Sequence, residues 1–316
     1  MPFPIEDKLV IAVSSSALFD LSESDQVFRD QGAIAYKAFQ EQNLNKILQR
    51  GVAFPFIRRF LNFNQRFPGE QPVEVVLLSR NSPATGKRVF RSIEHYGLGI
   101  SRAAFVSGAS PFSYIPAFNA SLFLSGNETD VRAAVIAGYP AGLVLPSKVE
   151  DDSSDAELRI AFDFDGVLAD DESEAVFKAR GLEKFQEYEQ QHQNRVHNPG
   201  LLADLFRKLS ALQGLEDAEL SQNPSYERVL RTAIITARSA PSHERVITTL
   251  ESWGVSPNET FFLGGMDKSR ILDIFRPHLF FDDQVSHLNA QNLAMVHIPF
   301  GVANATGNNP GTEEDH

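Results

Sequence analysis

Residues 158–181 read LRIAFDFDGVLADDESEAVFKARG and residues 9–32 read LVIAVSSSALFDLSESDQVFRDQG. In both, a short and largely apolar run ends in a polar turn, and an amphipathic segment follows. A run of that length between turn residues is the pattern of a strand buried on both faces. The two stretches share one register at an offset of 149, with Ile11/Ile160, Ala12/Ala161, Glu23/Glu172, Phe28/Phe177 and Gly32/Gly181 coinciding. The register persists to Gly51/Gly200 and Arg58/Arg207, then becomes 157, which places eight extra residues of the second copy within Gly214–Ser225. At that offset Arg88/Arg245, Glu94/Glu251, Gly97/Gly254, Phe105/Phe262, Gly108/Gly265 and Phe123/Phe280 match. The sequence is a duplication.

In the second copy, strand runs at Leu158–Phe162, Ala233–Thr236, Thr260–Leu263, Leu279–Phe281 and Met295–Ile298 alternate with helical stretches at Pro199–Leu212, Pro241–Trp253 and Lys268–Phe275. Such alternation predicts parallel sheets with right-handed crossovers. The fold class is therefore α/β, as two related doubly wound parallel-sheet modules, 1–150 and 151–304, meeting at the polar stretch KVEDDSSDAE (148–157). Cap insertions are expected at Asp25–Phe63 in the first module and at about 172–228 in the second. The tail 305–316, polar and acidic at its end, is expected to be disordered.

Of the 316 residues, 42% are hydrophobic and 22% charged, as in soluble globular proteins, and the length suits two domains. The absence of cysteine excludes disulfides, thiolate metal ligands and a thiol nucleophile. Neither a signal peptide nor a membrane span is expected, which makes a cytoplasmic location the default. A net charge of −12 argues against gripping a nucleic acid polymer, though a metal ion and one or two basic side chains can still hold one phosphate. Neither H-E-x-x-H, G-x-G-x-x-G nor G-x-x-x-x-G-K-[ST] occurs.

Open parallel sheets bind ligands beyond the carboxyl ends of their strands. There, LRIAF runs into Asp163 and Asp165 followed by Gly166, an acidic turn suited to a hard cation and a phosphate. The next strand ends in Thr236, followed by Ala237 and Arg238. Lys268 stands at a helix start, and HLFF runs directly into Asp282 and Asp283.

These four ordered groups resemble the haloacid dehalogenase superfamily of phosphatases over Leu158–Gly301. Through IAVSSSALFD, AFPFIRR, SIEHYGL, GASP, RIAFD, VLADDESE, ITARSA, RPHLFFDDQ and HIPFGVA, the chain further resembles the cytosolic 5'-nucleotidase type I family over about residues 8 to 304. Many members of that family carry DGDAV where this chain has DFDGV; both acids survive the change.

The resemblance implies a Mg²⁺-dependent hydrolysis of a nucleoside 5'-monophosphate such as AMP through an aspartyl-phosphate. Asp163 would be the nucleophile and Asp165 the general acid and base, with Lys268 and Thr236 completing the catalytic set. Thr236, Ala237, Arg238 and Lys268 would meet the substrate, and Asp163, Asp165 (through its carbonyl), Asp282 and Asp283 would serve the metal. In the first copy Ser14, Ser16, Ser79, Pro111, Ser125 and Gly126 occupy the corresponding positions, so that module is expected to be catalytically dead. Its old site and its cap could still face the substrate. The expected partner is a small-molecule nucleotide, with no membrane; a homo-oligomer is compatible with the sequence. Two other readings stay open: a phosphatase for another small phosphorylated metabolite, and a nucleotide-sensing protein without turnover.

Overall fold

The computed structural model describes residues 3–304; the tail expected to be disordered lies outside the described residues. Ten strands carry the fold. In the first half they are β1 (Leu9–Val13), β2 (Val73–Ser79), β3 (Arg102–Phe105), β4 (Ala120–Ser125) and β5 (Ala141–Val144). In the second they are β6 (Leu158–Phe162), β7 (Leu230–Thr236), β8 (Glu259–Phe262), β9 (Leu279–Asp282) and β10 (Met295–His297). The principal helices are α1 (Ser22–Gln42), α2 (Phe54–Arg66), α3 (Pro83–His95) and α4 (Glu128–Ile136), then α5 (Glu172–Gln191), α6 (Ala203–Gln222), α7 (His243–Trp253) and α8 (Ser269–Phe275).

All ten strands form one sheet in the order β8-β7-β6-β9-β10-β5-β4-β1-β2-β3. Each half has the same internal order, and pairing within each is parallel throughout. The two related modules expected from the repeat share one continuous sheet. β10 and β5 pair antiparallel, Val296 opposite Val144 and His297 opposite Leu143, and fuse the halves. Two separate modules would each leave an edge strand with unpaired N–H and C=O groups, and the fusion satisfies both edges at once.

On one face a continuous core runs through both halves, joining Ile11, Val13, Val75 and Leu77 to Ile160, Phe162, Phe281 and Val296. The other face keeps two smaller cores, around Val10, Ala12 and Val76 and around Ala161, Ala233 and Ile235. Helices on the shared face cross the seam. The Phe-rich α2 packs on its own β2 and on β6, whereas α6 packs on β1 and β4. Asp151, in the polar connection between the halves, accepts hydrogen bonds from Arg58 (2.8 and 3.1 Å) and from buried Arg59 (2.7 Å), which fastens that segment to α2.

α6 runs ten residues beyond its predicted end at Leu212, so the extra residues of the second copy lengthen a helix. In that extension buried Glu216 accepts the N–H groups of Val229 (2.7 Å) and Leu230 (3.3 Å) and guides the chain back into β7. Of the stretch 172–228, then, α6 lies on the sheet and α5 borders the strand ends. α1 and α5 are broken at the same repeat position, Gly32 (φ +79°) and Gly181 (φ +77°), where the left-handed backbone favours glycine. Among the described residues no helix is long and apolar enough to cross a membrane.

Candidate active site

β6 is held between β7 and β9, and Asp163 follows immediately. The Asp163 N–H donates to the Phe281 carbonyl (2.8 Å), so pairing with β9 continues into the turn, and its carboxylate accepts the Phe164 N–H (2.7 Å). Lys268, directly before α8, places Nζ 2.9 Å from Asp163 and donates at 2.7 Å to Asp282, at the end of β9. All three side chains are buried. Three of the strand-end groups therefore converge on one point.

Burial pushes the Asp163 carboxyl up to about 7, against the attraction of Lys268 and with help from Asp282 and Asp165. Burial would lower the Lys268 ammonium, but the charges of Asp163 and Asp282 outweigh it and raise it above a free lysine. Asp282 resists its own burial, because Lys268 and His287 hold its carboxyl below the usual range. Among the described residues Asp283 has no such cation. Burial first, then repulsion from Asp163, Glu174 and Asp282, pushes it up to about 10.

Gly166 lets Asp283 come this close. Its φ is +69°, and a Cβ there would lie 2.6 Å from the Asp283 Oδ2. Thr236 ends β7 almost fully buried and accepts the Arg238 N–H through Oγ1 (3.3 Å), leaving its hydroxyl proton to donate. Asp165 meets Arg238 in a two-point ion pair, at 2.7 Å to Nε and 2.6 Å to Nη2. The rest of the guanidinium contacts Glu189 and the Ser242 carbonyl (3.2 Å). Arg238 is thus buried, with Asp165, Glu189 and the Ser242 carbonyl as its partners inside the protein. Burial opposes its charge, but Asp165 and Glu189 more than restore it.

A cavity of about 490 Å³ opens beside these groups, with Asp163, Asp165, Thr236, Ala237 and Arg238 in its wall, so Arg238, expected to meet substrate, borders the space a substrate would enter. α5 contributes Glu174, Phe177, Lys178, Leu182, Phe185 and Gln186 to the same cavity. The idea that the first copy's old site or cap also faces the substrate is not supported, since every lining residue comes from Asp163 to His287. The reason is topological: the two sets of strand ends belong to opposite halves of a ten-stranded sheet.

The acidic set fits a hard divalent cation. Asp163, Asp282 and His287 each bring one ligand atom within 4.8 Å of the others. Among the described residues both Asp283 carboxyl oxygens are buried without a hydrogen-bond partner, an arrangement that leaves two polar atoms to be matched. Two carboxylates, Asp163 and Asp282, share one lysine here with Asp283 close by, and carboxylate oxygens are the ligands such ions prefer. Three participants were missed in the sequence. His287 lies 3.2 Å from both Asp282 oxygens, Glu174 repels Asp283, and Glu189 holds Arg238. The signal for His287 was present in DDQVSH, a histidine five residues after the strand-end acid.

A family model described as 5'-nucleotidase matches residues 1–305. Human cytosolic 5'-nucleotidase 1B is 34% identical over 304 residues, which is 93% of this chain and 49% of that protein. The chain thus spans about half the length of this curated relative. No solved structure matches. With the family model running through both halves of the sheet and over every strand-end group described above, the chain belongs to the 5'-nucleotidase family.

Proposed function

We propose that the chain hydrolyses nucleoside 5'-monophosphates, AMP or a related (deoxy)nucleotide, with Mg²⁺ as cofactor and Asp163 as nucleophile. The observation that carries the reading is the buried Lys268 ammonium between Asp163 and Asp282, at the foot of a cavity walled by α5. A nucleophilic carboxylate beside a fixed cation is what phosphoryl transfer requires of a protein, namely alignment and charge neutralisation.

In the first step an Asp163 oxygen bonds to phosphorus as the bond from phosphorus to the ribose 5'-oxygen breaks, and Asp165 delivers a proton to that oxygen. In the second, water attacks phosphorus, its proton passes to Asp165, and the Asp163–phosphorus bond breaks. Lys268 favours the ionised form of Asp163 against its burial and meets the charge on the transferring group. Thr236 donates its hydroxyl to a phosphate oxygen. Asp163, the Asp165 carbonyl, Asp282 and Asp283 would hold Mg²⁺, which when bound would offset the charge of the phosphate and of the crowded carboxylates. His287 serves better as a partner for Asp282 than as a ligand, because Mg²⁺ favours oxygen. Phe177 and Phe185, edge to face at 6.0 Å on α5, offer apolar surface to a nucleoside.

Phosphate release from a panel of nucleoside monophosphates and sugar phosphates, with and without Mg²⁺, tests this reading. Metal-dependent release from the nucleotides, abolished in Asp163→Asn, is expected. Preferential release from the sugar phosphates would favour a different small-metabolite phosphatase, and release from no compound would favour a nucleotide sensor.

A further inference from the structure

The internal repeat supplies a comparison within one molecule. Around α7 and the end of α5, several contacts recur in both copies. Arg245 Nε donates to the Arg195 carbonyl at 2.8 Å, as Arg88 Nε does to the Lys46 carbonyl at 2.8 Å. Thr249 Oγ1 accepts the His197 N–H at 3.1 Å, as Ser92 Oγ accepts the Leu48 N–H at 3.0 Å. Arg245 reaches Glu189 at 3.0 Å, as Arg88 reaches Gln40 at 3.3 Å. These contacts fasten a broken helix over each set of strand ends.

A second group of residues differs between the copies, and all of it differs together. Asp165, Arg238, Glu189 and His197 stand where the first copy has Ser16, Asn81, Gln40 and Leu48. The first copy builds the same broken helix and the same arginine anchor without any of these charges. The charged group therefore accompanies the carboxylate at 165 rather than the architecture of the cap. Phe164, the residue between the two acids, belongs with it. The Arg238 guanidinium carbon lies 5.5 Å from the Phe164 ring centre and 5.4 Å from that of Phe185, and the His197 ring meets Phe164 edge on at 5.3 Å.

We propose that Arg238 is a positioning residue acting through Asp165: its planar fork fixes the direction of the Asp165 carboxylate and, by gripping Glu189 on α5, couples that direction to the cap. The proposal rests on the phosphatase reading above. A guanidinium suits the task because it makes two parallel bonds to one carboxylate and still has donors for a second, which an ammonium cannot reproduce. Without this hold, Asp165 would keep its chemistry but lose its aim at the leaving oxygen.

The test compares AMP with the analogue in which sulfur replaces the bridging 5'-oxygen, since a thiolate departs without a proton while the nucleoside is unchanged. In Arg238→Lys, kcat on AMP is expected to fall on the order of 10²-fold, the scale of a misplaced general acid, with KM changed little and the sulfur analogue losing less than about tenfold. Glu189→Asp retains both charges and shortens the reach to Arg238, so it is expected to give the same selective loss on a smaller scale should Arg238→Lys fold poorly. Combining Arg238→Lys with Asp165→Asn should cost AMP hydrolysis no more than Asp165→Asn alone. Equal losses on both substrates, no loss on either, or multiplicative effects in the double variant would overturn the proposal and leave the phosphatase reading intact. A wild-type protein inactive on both compounds would overturn the phosphatase reading itself.

Discussion

Glu189→Gln changes one atom and should be among the most destabilising isosteric substitutions in the protein. The Glu189 carboxylate is fully buried; it accepts from Arg238, from Arg245 at 3.0 Å and from Ser173 at 2.7 Å, and His197 lies 3.6 Å away. Burial would raise its pKa, yet His197, Arg238 and Ser173 hold it far below the usual carboxylate range. An amide retains one acceptor and turns an NH₂ group towards groups that are themselves donors. Removing one partner of a buried ion pair costs about 3–5 kcal/mol, and two guanidiniums depend on this carboxylate. An unfolding entropy of about 2.1 cal/mol/K per residue gives roughly 0.7 kcal/mol/K for the chain, so the midpoint should fall by about 4–7 °C. Urea unfolding with an unchanged m-value checks the free energy directly. In the first copy Gln40 faces a single arginine, so Gln40→Ala should cost no more than about 2 kcal/mol, the price of one lost hydrogen bond and some packing. A loss below about 1 kcal/mol in Glu189→Gln would refute this reasoning, because the two arginines would then have found their compensation elsewhere.

Further consequences concern pH, backbone and charge. His278 accepts the Arg159 N–H at 3.0 Å, and burial, reinforced by Arg59 and Arg159 against Asp155 and Asp151, pushes its pKa down to about 3. The unfolded histidine takes up a proton below about pH 6.5 while the folded one does not, so stability should fall as pH drops from there towards 3, by about 2 kcal/mol at pH 5. His278→Gln should remove that component in urea unfolding at pH 7 and pH 5; an unchanged pH slope would contradict it. Gly166→Ala should cost about 1–2 kcal/mol for its left-handed backbone and displace Asp283, weakening Mg²⁺ binding on the order of tenfold by calorimetry. Lys268→Met should lower kcat on the order of 10²-fold or more in a phosphate-release assay, as loss of a preorganised charge does.

Much of this site was legible in the sequence, because buried parallel strands announce themselves and the chemistry sits where they end. Asp163, Thr236 and Asp282 were placed at strand ends by apolar runs alone, and the repeat register anticipated two related halves. Pairing across the seam was not legible, since nothing in Ala141–Val144 or Met295–His297 specifies which edge each strand will meet. The length of α6 was missed because its extension turns Glu216 inward, and a buried glutamate breaks the apolar pattern that marks a helix face. The ion-pair partners of Arg238 were not legible because they lie 73 and 49 residues away in sequence. Local spacing locates a side chain on its element, whereas its partner is settled by packing.

The participation of Asp163 as nucleophile can be observed covalently. Wild-type protein would be mixed with Mg²⁺ and a nucleoside monophosphate, quenched during turnover with borohydride, digested and sequenced by mass spectrometry. An acyl phosphate at residue 163 is reduced to homoserine, so homoserine at that position, dependent on substrate, is the expected result. An unmodified Asp163 throughout turnover, with a phosphorylated residue elsewhere, would contradict the account.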